Sequence, residues 1–333
     1  MAEGSTLHVY STLLQIPVLV LGSKHEALPP LDPASFLVSL GKNVPFKPLR
    51  VRLEGDDPVT LAILLDGSTG DSLVPLAADG LAAMAGERLR PQDRVAVYTM
   101  DGCKLRRMHT LAAVDVEAVR TSVQHAVVFS PWQSYGPHAE PCPKPVGVWD
   151  AIDFLSRGLA AEPGRRVVLA VTNGANQGGL LTADAARRTA NLAGVTVFAV
   201  AERFKVPILL GAHPQTVAGW RVGSMLGFLT EGSGGLTVEA TRNNLPYAFA
   251  HFVELLRGRY ILEFQRPANV AGGTSIITVQ CGLPHAFIRP AGTSLPTADP
   301  VTQDPAVQHG PAAQLDGQPG GRVPRDSANS PVK

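Results

Sequence analysis

The sequence predicts an α/β fold: a doubly wound, mostly parallel sheet with helices on its faces, of Rossmann-like type. Three observations predict it. Apolar runs of strand length recur at Val59–Leu65, Arg94–Met100, Arg166–Thr172 and Val195–Val200. Stretches with helical apolar periodicity alternate with them, and Asp66-Gly67, Asp101-Gly102 and Asn173-Gly174 stand where the runs end. A run without polar alternation suits a strand covered on both faces, and regular strand–helix alternation predicts parallel pairing through crossovers.

Each element follows in order. His8–Tyr10, Ile16–Leu21, Phe36–Leu40 and the extended Pro45–Leu53 read as strands, with Leu28–Pro33 a stiff turn. They form a β-rich flank. The apolar run Leu13–Leu21 is broken by Gln15 and Pro17, and the residues before it include Glu3 and no Lys or Arg. It therefore reads as a buried strand rather than a secretory leader. After the Val59 strand, Ser72–Leu89 reads as a helix whose Leu73, Leu76, Leu81, Met84 and Leu89 share one face. Arg94–Met100 is a strand, and Cys103–His109 an edge strand after the Asp101-Gly102 turn. Asp115–Ala126 is a helix, and the segment 130–145 is irregular and proline-rich. Val148–Ala161 is a helix and Arg166–Thr172 a strand. Thr182–Leu192 is a helix with Thr182 as N-cap and Gly194 past its end. Val195–Val200, the helix Leu245–Leu256 and the strand Arg259–Gln265 complete the pattern. The expected organisation is a β-rich flank at 1–56, an α/β domain at 57–258, strands at 259–290 that join the flank, and a disordered tail rich in Pro, Gly and Ala at 291–333.

Composition narrows the function. Of 333 residues 45% are hydrophobic and 17% charged, and 29 Lys and Arg balance 28 Asp and Glu to a net charge of +1. A sizeable core is expected, and neither a nucleic-acid nor an anionic-membrane footprint. The doublets Arg106-Arg107, Arg165-Arg166 and Arg187-Arg188 read as solvated surface. No stretch has the roughly 20 apolar residues of a membrane helix. The three cysteines, Cys103, Cys142 and Cys281, lie far apart without metal-ligand spacing, and one disulfide is left open. His138 and His213 fall in loops, and Trp149 reads as core.

Leu64-Leu65-Asp66-Gly67-Ser68-Thr69-Gly70 resembles the first metal-site segment of von Willebrand factor A (vWA) domains, an apolar strand followed by Asp-x-Ser-x-Ser. Val148-Trp149-Asp150-Ala151-Ile152 and Val168-Leu169-Ala170-Val171-Thr172-Asn173-Gly174 resemble the family's helix start and its Leu-Thr-Asp-Gly strand end. The lead-in Leu28–Val38, the strand Leu256–Phe264 and the segment Ile276–Arg289 look like the flanks of the VWFA-related acidobacterial-type family. The resemblance covers about residues 8–292.

The resemblance implies a metal-ion-dependent adhesion site, but a degenerate one. Asp66 and Ser68 match; Gly70 stands for the second Ser, Val146 for the Thr and Asn173 for the third-loop Asp. Asp66 and Ser68 are the candidate metal ligands, with Asn173 a supporting residue and Ser72 or Ser134 as substitutes from nearby loops. One carboxylate underbinds Mg²⁺ against its hydration, so no cofactor is expected beyond at most weak Mg²⁺. The loops at the carboxyl ends of the strands, with Asp66, Gly67, Ser68, Thr69, Asn173 and Gly174, are the candidate surface for another protein.

The expected function is therefore non-enzymatic: an adhesion or scaffold module. A structural subunit of an envelope or secretion-linked assembly is the alternative. A nucleotide-binding enzyme ranks below both, because the first strand ends in Asp-Gly-Ser and not in a Gly-x-Gly-x-x-Gly loop, although Asn173–Gly179 has the composition of a phosphate cradle. The N-terminus alone predicts a cytoplasmic chain, the resemblance implies export, and oligomeric state is left open.

Overall fold

The computed structural model describes residues 13–55, 57–68, 73–128, 144–174, 176, 179–202, 222–265 and 277–291. His8–Tyr10, the segment 130–143 and the tail from 292 onward lie outside the described residues.

Six strands form the main sheet: β4 (Val59–Asp66), β5 (Arg94–Met100), β6 (Leu105–Ala113), β7 (Arg165–Thr172), β8 (Val195–Glu202) and β9 (Thr237–Ala240). Their order is β6-β5-β4-β7-β8-β9. The pairs β4/β5, β4/β7, β7/β8 and β8/β9 are parallel, and β6 closes one edge antiparallel to β5. The sheet is doubly wound and mostly parallel, as the apolar runs predict. Every residue of β4 and of β7 is buried, and the two-residue period assigns each side chain to a face. Leu61, Ile63, Leu65, Val167, Leu169 and Val171 join the core under α1 (Ala77–Glu87), α2 (Val116–Val128) and α6 (Leu245–Arg257). Ala62, Leu64, Val168 and Ala170 join the opposite core under α3 (Val148–Leu159), α4 (Ala183–Ala193) and α5 (Val222–Gly232).

The remaining strands make antiparallel sheets. β1 (Leu13–Leu21), β3 (Arg50–Leu53), β10 (Tyr260–Gln265) and β12 (Phe287–Pro290) pair in the order β12-β1-β10-β3, and β2 (Leu37–Leu40) pairs with β11 (Ile277–Gln280). Both share a third core that includes Val18, Val20, Phe36, Val38, Leu40, Leu262 and Phe264. β1 is the seam between this element and the α/β unit. Its Ile16, Val18 and Val20 face the third core, while Leu19 and Leu21 join the core under α6. Strict alternation along one strand thus glues two units.

A buried ionic cluster adds a polar lock at the amino ends of the main strands. Arg259 donates from Nε and Nη2 to the Glu54 carboxylate at 2.6 and 2.8 Å, and from Nη1 to Thr196 Oγ1 at 2.8 Å. Arg165 lies 3.1 Å from Glu54 and 3.1 Å from Asp57. Arg257 pairs with Asp93, whose other oxygen accepts the Val59 N–H at 2.9 Å. Residues preceding β10 and following β3 are thereby tied to β7 and β8.

Several details differ from expectation. The helix expected at 72–89 begins at Ala77 after a tight turn, with the Leu76 N–H donated to Leu73 O at 3.0 Å. Pro75 has no N–H to give, and Leu76 leaves the apolar face and is 47% exposed. The edge strand expected at 103–109 runs instead from Leu105 to Ala113, with register shifts between Val95 and Tyr98 of its partner. α5 and β9 have no counterpart in the sequence reading. Three glycines in α5 weaken its helical signal, and β9 has 4 residues. The Arg165-Arg166 doublet, expected at the surface, is buried in β7.

Removing one partner of the buried pair strands the other charge, at a cost of about 3–5 kcal/mol. Arg259→Met is expected to lower unfolding free energy by that order in urea titrations, and the double variant with Glu54→Gln to lose less than the sum of the single losses.

Candidate functional site

The strand order reverses between β5 and β7 on either side of β4, which places the switch point at the carboxyl ends of β4 and β7. Asp66 ends β4 there and is 1% exposed. Its Oδ1 accepts the Ser68 hydroxyl at 2.5 Å and the Ser68 N–H at 3.1 Å, and its Oδ2 accepts the Thr172 hydroxyl at 2.5 Å. Thr172 Oγ1 in turn accepts the Gly174 N–H at 3.0 Å. One carboxylate therefore joins the loop after β4 to the loop after β7. The Asx-type bond from the Ser68 N–H is the local reason that Asp-x-Ser turns sharply here. Burial is the largest influence on Asp66 and pushes its pKa above the usual carboxylate range; the bonds from Ser68 and Thr172 pull the other way and do not cancel it.

The turn after β5 buttresses this knot. The Gly67 N–H donates to Met100 O at 2.9 Å, and Gly102, at φ +85°, lies against Ser68. A side chain at position 102 would be strained in that conformation. The Gly102 carbonyl accepts the Val146 N–H at 2.8 Å, which brings in the segment leading to α3. Asp150 in the first turn of α3 accepts the Gly147 N–H at 2.8 Å, the Leu180 N–H at 3.1 Å and the Leu181 N–H at 3.0 Å. Asn176 Oδ1 accepts the Trp149 N–H at 3.2 Å, and it sits where a β-carbon on residue 147 would fall, so only glycine fits there.

Of the sequence-predicted residues, Asp66, Gly67, Ser68, Asn173 and Gly174 come together at this end of the sheet. Thr69, Gly70, Ser72 and Ser134 lie outside the described residues. Trp149 is buried at 5% exposure, as expected for core. Sequence reasoning missed three participants: Thr172, Asp150 and Asn176. Thr172 precedes the Asn173-Gly174 turn, and a hydroxyl at the end of a buried apolar strand was the available signal. Just beyond the segment 173–179, the Leu180 and Leu181 amides are given to Asp150. Beside Asn173 opens a cavity of about 490 Å³ whose lining includes Glu202, Glu239, Asn244, Tyr247 and His251.

A divalent cation needs several hard oxygens and charge to offset its hydration. Among the described residues the donor set holds one carboxylate, two hydroxyls and the Asn173 amide. The carboxylate already accepts both hydroxyls, and Val146 contributes no side-chain oxygen. These described donors alone do not fit Mg²⁺. Of the cysteines, Cys281 is buried and free, Cys103 is disulfide-bonded, and Cys142 lies outside the described residues.

The strand order, with Asp66 after the central strand and Thr172-Asn173-Gly174 after its parallel neighbour, decides the fold. The α/β unit is vWA-like. No protein-family model matches the chain, and neither does any curated protein. Among solved structures, the chain is similar to an aerotolerance-related membrane protein from Bacteroides fragilis, at 17% identity over 59% of this chain and 98% of that one, with a TM-score of 0.41. It is similar to BatB from Bacteroides thetaiotaomicron at 13% identity over 60% and 98%, TM-score 0.39. The VWA domain of SpRpn10 shares 12% identity over 58% and 94%, TM-score 0.37.

The raised pKa of Asp66 fixes the sign of a pH effect. Below about pH 4 both the folded and the unfolded chain hold the proton, and the group's contribution to stability is fully present. As pH rises through the elevated folded-state value, that contribution is lost. Asp66→Asn keeps the hydroxyl partners and copies the protonated form. It is expected to raise the urea midpoint at pH 7, with the advantage shrinking as pH falls toward 4; a variant less stable than the parent at pH 7 contradicts this.

Proposed function

We propose that this chain is a non-enzymatic protein-binding module, an adhesion or scaffold unit, that uses the loops at the carboxyl ends of β4 and β7 without a resident metal. The observation that carries this reading is the closed Ser68–Asp66–Thr172 knot. In a metal-bearing vWA site the ion presents an open coordination position to an acidic group of the partner. Here the hydroxyls and the carboxylate satisfy one another, so recognition falls to loop shape and exposed polar groups.

Two further features support the reading. The described ends of these loops, Gly67-Ser68 and Asn173-Gly174, leave β4 and β7 beside the first turn of α3, and Gly67, Ser68 and Gly174 are held by hydrogen bonds, which lowers the ordering entropy left to lose on binding there. The cavity beside Asn173 adds a concave, partly aromatic feature of the kind that receives a protein side chain. Among the described residues, no group of three or more His, Cys, Asp or Glu is placed to hold a metal ion. No helix among them is long and apolar enough to cross a membrane.

Two measurements test the reading together. Calorimetric titration of chelator-stripped protein with Mg²⁺ and Mn²⁺ is expected to show no saturable heat at millimolar metal; saturable binding that Asp66→Ala abolishes overturns metal independence. Capture of partner by the tagged chain is expected to survive chelator. It should fall by tenfold or more in Asn173→Arg at unchanged melting temperature, because this half-buried side chain lies at the carboxyl end of β7 beside the cavity and outside the apolar cores.

A further inference from the structure

β9 is the last strand of the main sheet, and among the described residues it pairs only with β8. The Ala199 N–H donates to Leu236 O at 3.2 Å, which sets the phase of that ladder. In parallel pairing alternate residues bond to a given neighbour, so Thr237 turns its backbone N–H and C=O away from β8. The cavity of about 490 Å³ beside Asn173 lies at this open edge. Leu226 of α5, Glu202 at the end of β8, Thr237 and Val238 of β9, and Tyr247 and His251 of α6 are among the residues that line it. Leu226 belongs to the core on the α5 side of the sheet, and α6 covers the other side. A cavity that touches β9 and both of these helices wraps the free edge of the sheet and does not sit on one face.

Two independent features of the lining point to a cation. The first is charge. The lining holds three carboxylates, Glu202, Glu231 and Glu239, against one lysine, Lys24, which is exposed. Arg289 holds Glu231 at 2.6 Å. Glu202 is half-buried and has no hydrogen bond or ion pair among the described residues. Phe198 and Val200 face the core under α6, so by alternation Glu202 lies on the α6 side, the side of Tyr247. The second feature is aromatic. Tyr247 is 68% exposed, and its ring lies parallel to that of His251 with centroids 6.0 Å apart and 8° between the planes. An open tyrosine face attracts a guanidinium or an ammonium through the ring quadrupole.

We propose that this cavity binds a lysine or arginine side chain presented by a partner protein. The inference rests on the reading of the carboxyl ends of the strands as the binding surface, with Asn173 shared between that surface and the cavity. The cation lies over the Tyr247 ring and pairs with the Glu202 carboxylate. A further N–H of the incoming group meets the Thr237 carbonyl, which the sheet leaves turned to its edge. The methylenes behind the cation cover Val238, so the stem stays out of water while the head keeps its polar partners. Arginine suits the site better than lysine, because one planar guanidinium stacks on a ring and binds a carboxylate at the same time. An acidic occupant would meet the charge of Glu202, and an apolar one would strip water from that carboxylate without replacing it.

NMR titration of the isotope-labelled full chain tests the proposal, with the N-acetyl N-methylamide derivatives of arginine, lysine and norleucine as probes. The arginine and lysine compounds are expected to shift the amide signals of Thr237, Val238 and Tyr247 saturably in the millimolar range, and the uncharged norleucine compound is not. Glu202→Gln and Tyr247→Ala should each weaken binding of the arginine compound by about fivefold at unchanged melting temperature. No saturable shift with either cationic compound, equal binding of the norleucine compound, or full binding to Glu202→Gln overturns the proposal. Partner capture separates this site from the surface it adjoins. Glu202→Lys supplies a cation of the chain's own and is expected to cut capture by tenfold or more. Capture that falls in Asn173→Arg and survives in Glu202→Lys overturns the cation site and leaves the surface reading standing. Probe binding that Glu202→Gln weakens, on a chain that captures no partner, supports the site and refutes the surface reading.

Discussion

Among the described residues the largest fully buried side chain belongs to Arg259, and its charge makes everything around it conditional. A guanidinium withdrawn from water loses several kcal/mol of hydration, which only a well-placed partner offsets. Glu54 meets it with both oxygens, and Thr196 takes a remaining N–H. These three residues come from the exit of β3, the start of β8 and the approach to β10. Apolar surfaces tolerate sliding past one another, whereas a buried ion pair tolerates almost none. The seam between the antiparallel element and the α/β unit therefore has one seating, in which β1 offers alternate side chains to two cores.

That seating bears on the opposite end of the sheet. With the amino ends of β4, β7 and β8 held by Asp93, Arg165 and Thr196, the parallel strands keep fixed register along their length. Their carboxyl ends then deliver Asp66 and Thr172 to hydrogen-bonding distance. The cost is a buried carboxylate whose proton affinity is raised. Gly67 and Ser68 after β4, Gly174 after β7 and the start of α3 are thus held by hydrogen bonds.

Much of the sheet was legible beforehand. Val59–Leu65 and Arg166–Thr172 announce strands buried on both faces because nothing polar interrupts them, and the turn pairs after them mark where a site belongs. Asp66 and Ser68 were legible from the resemblance to the vWA motif. Thr172 was not, because a threonine at a strand end is ordinary until its neighbour across the sheet is known. Asp150 and Asn176 escaped for the same reason: each has a partner far along the chain, Leu181 31 residues from Asp150 and Trp149 27 residues from Asn176. α5 and β9 were illegible because glycine dilutes helical periodicity and four residues are too few to show alternation.

By itself, the sequence determined which segments become most of the strands and helices, and that the sheet is doubly wound. Those properties follow from side-chain polarity at local spacing, which a linear chain displays openly. Tertiary structure alone decided that the Arg165 side chain turns inward while Arg188 stays at the surface, that Leu76 leaves the core, and that Asp66 spends its oxygens on Ser68 and Thr172. Each of these depends on which residues meet across long sequence separations, and that is set by the packing of all three cores at once.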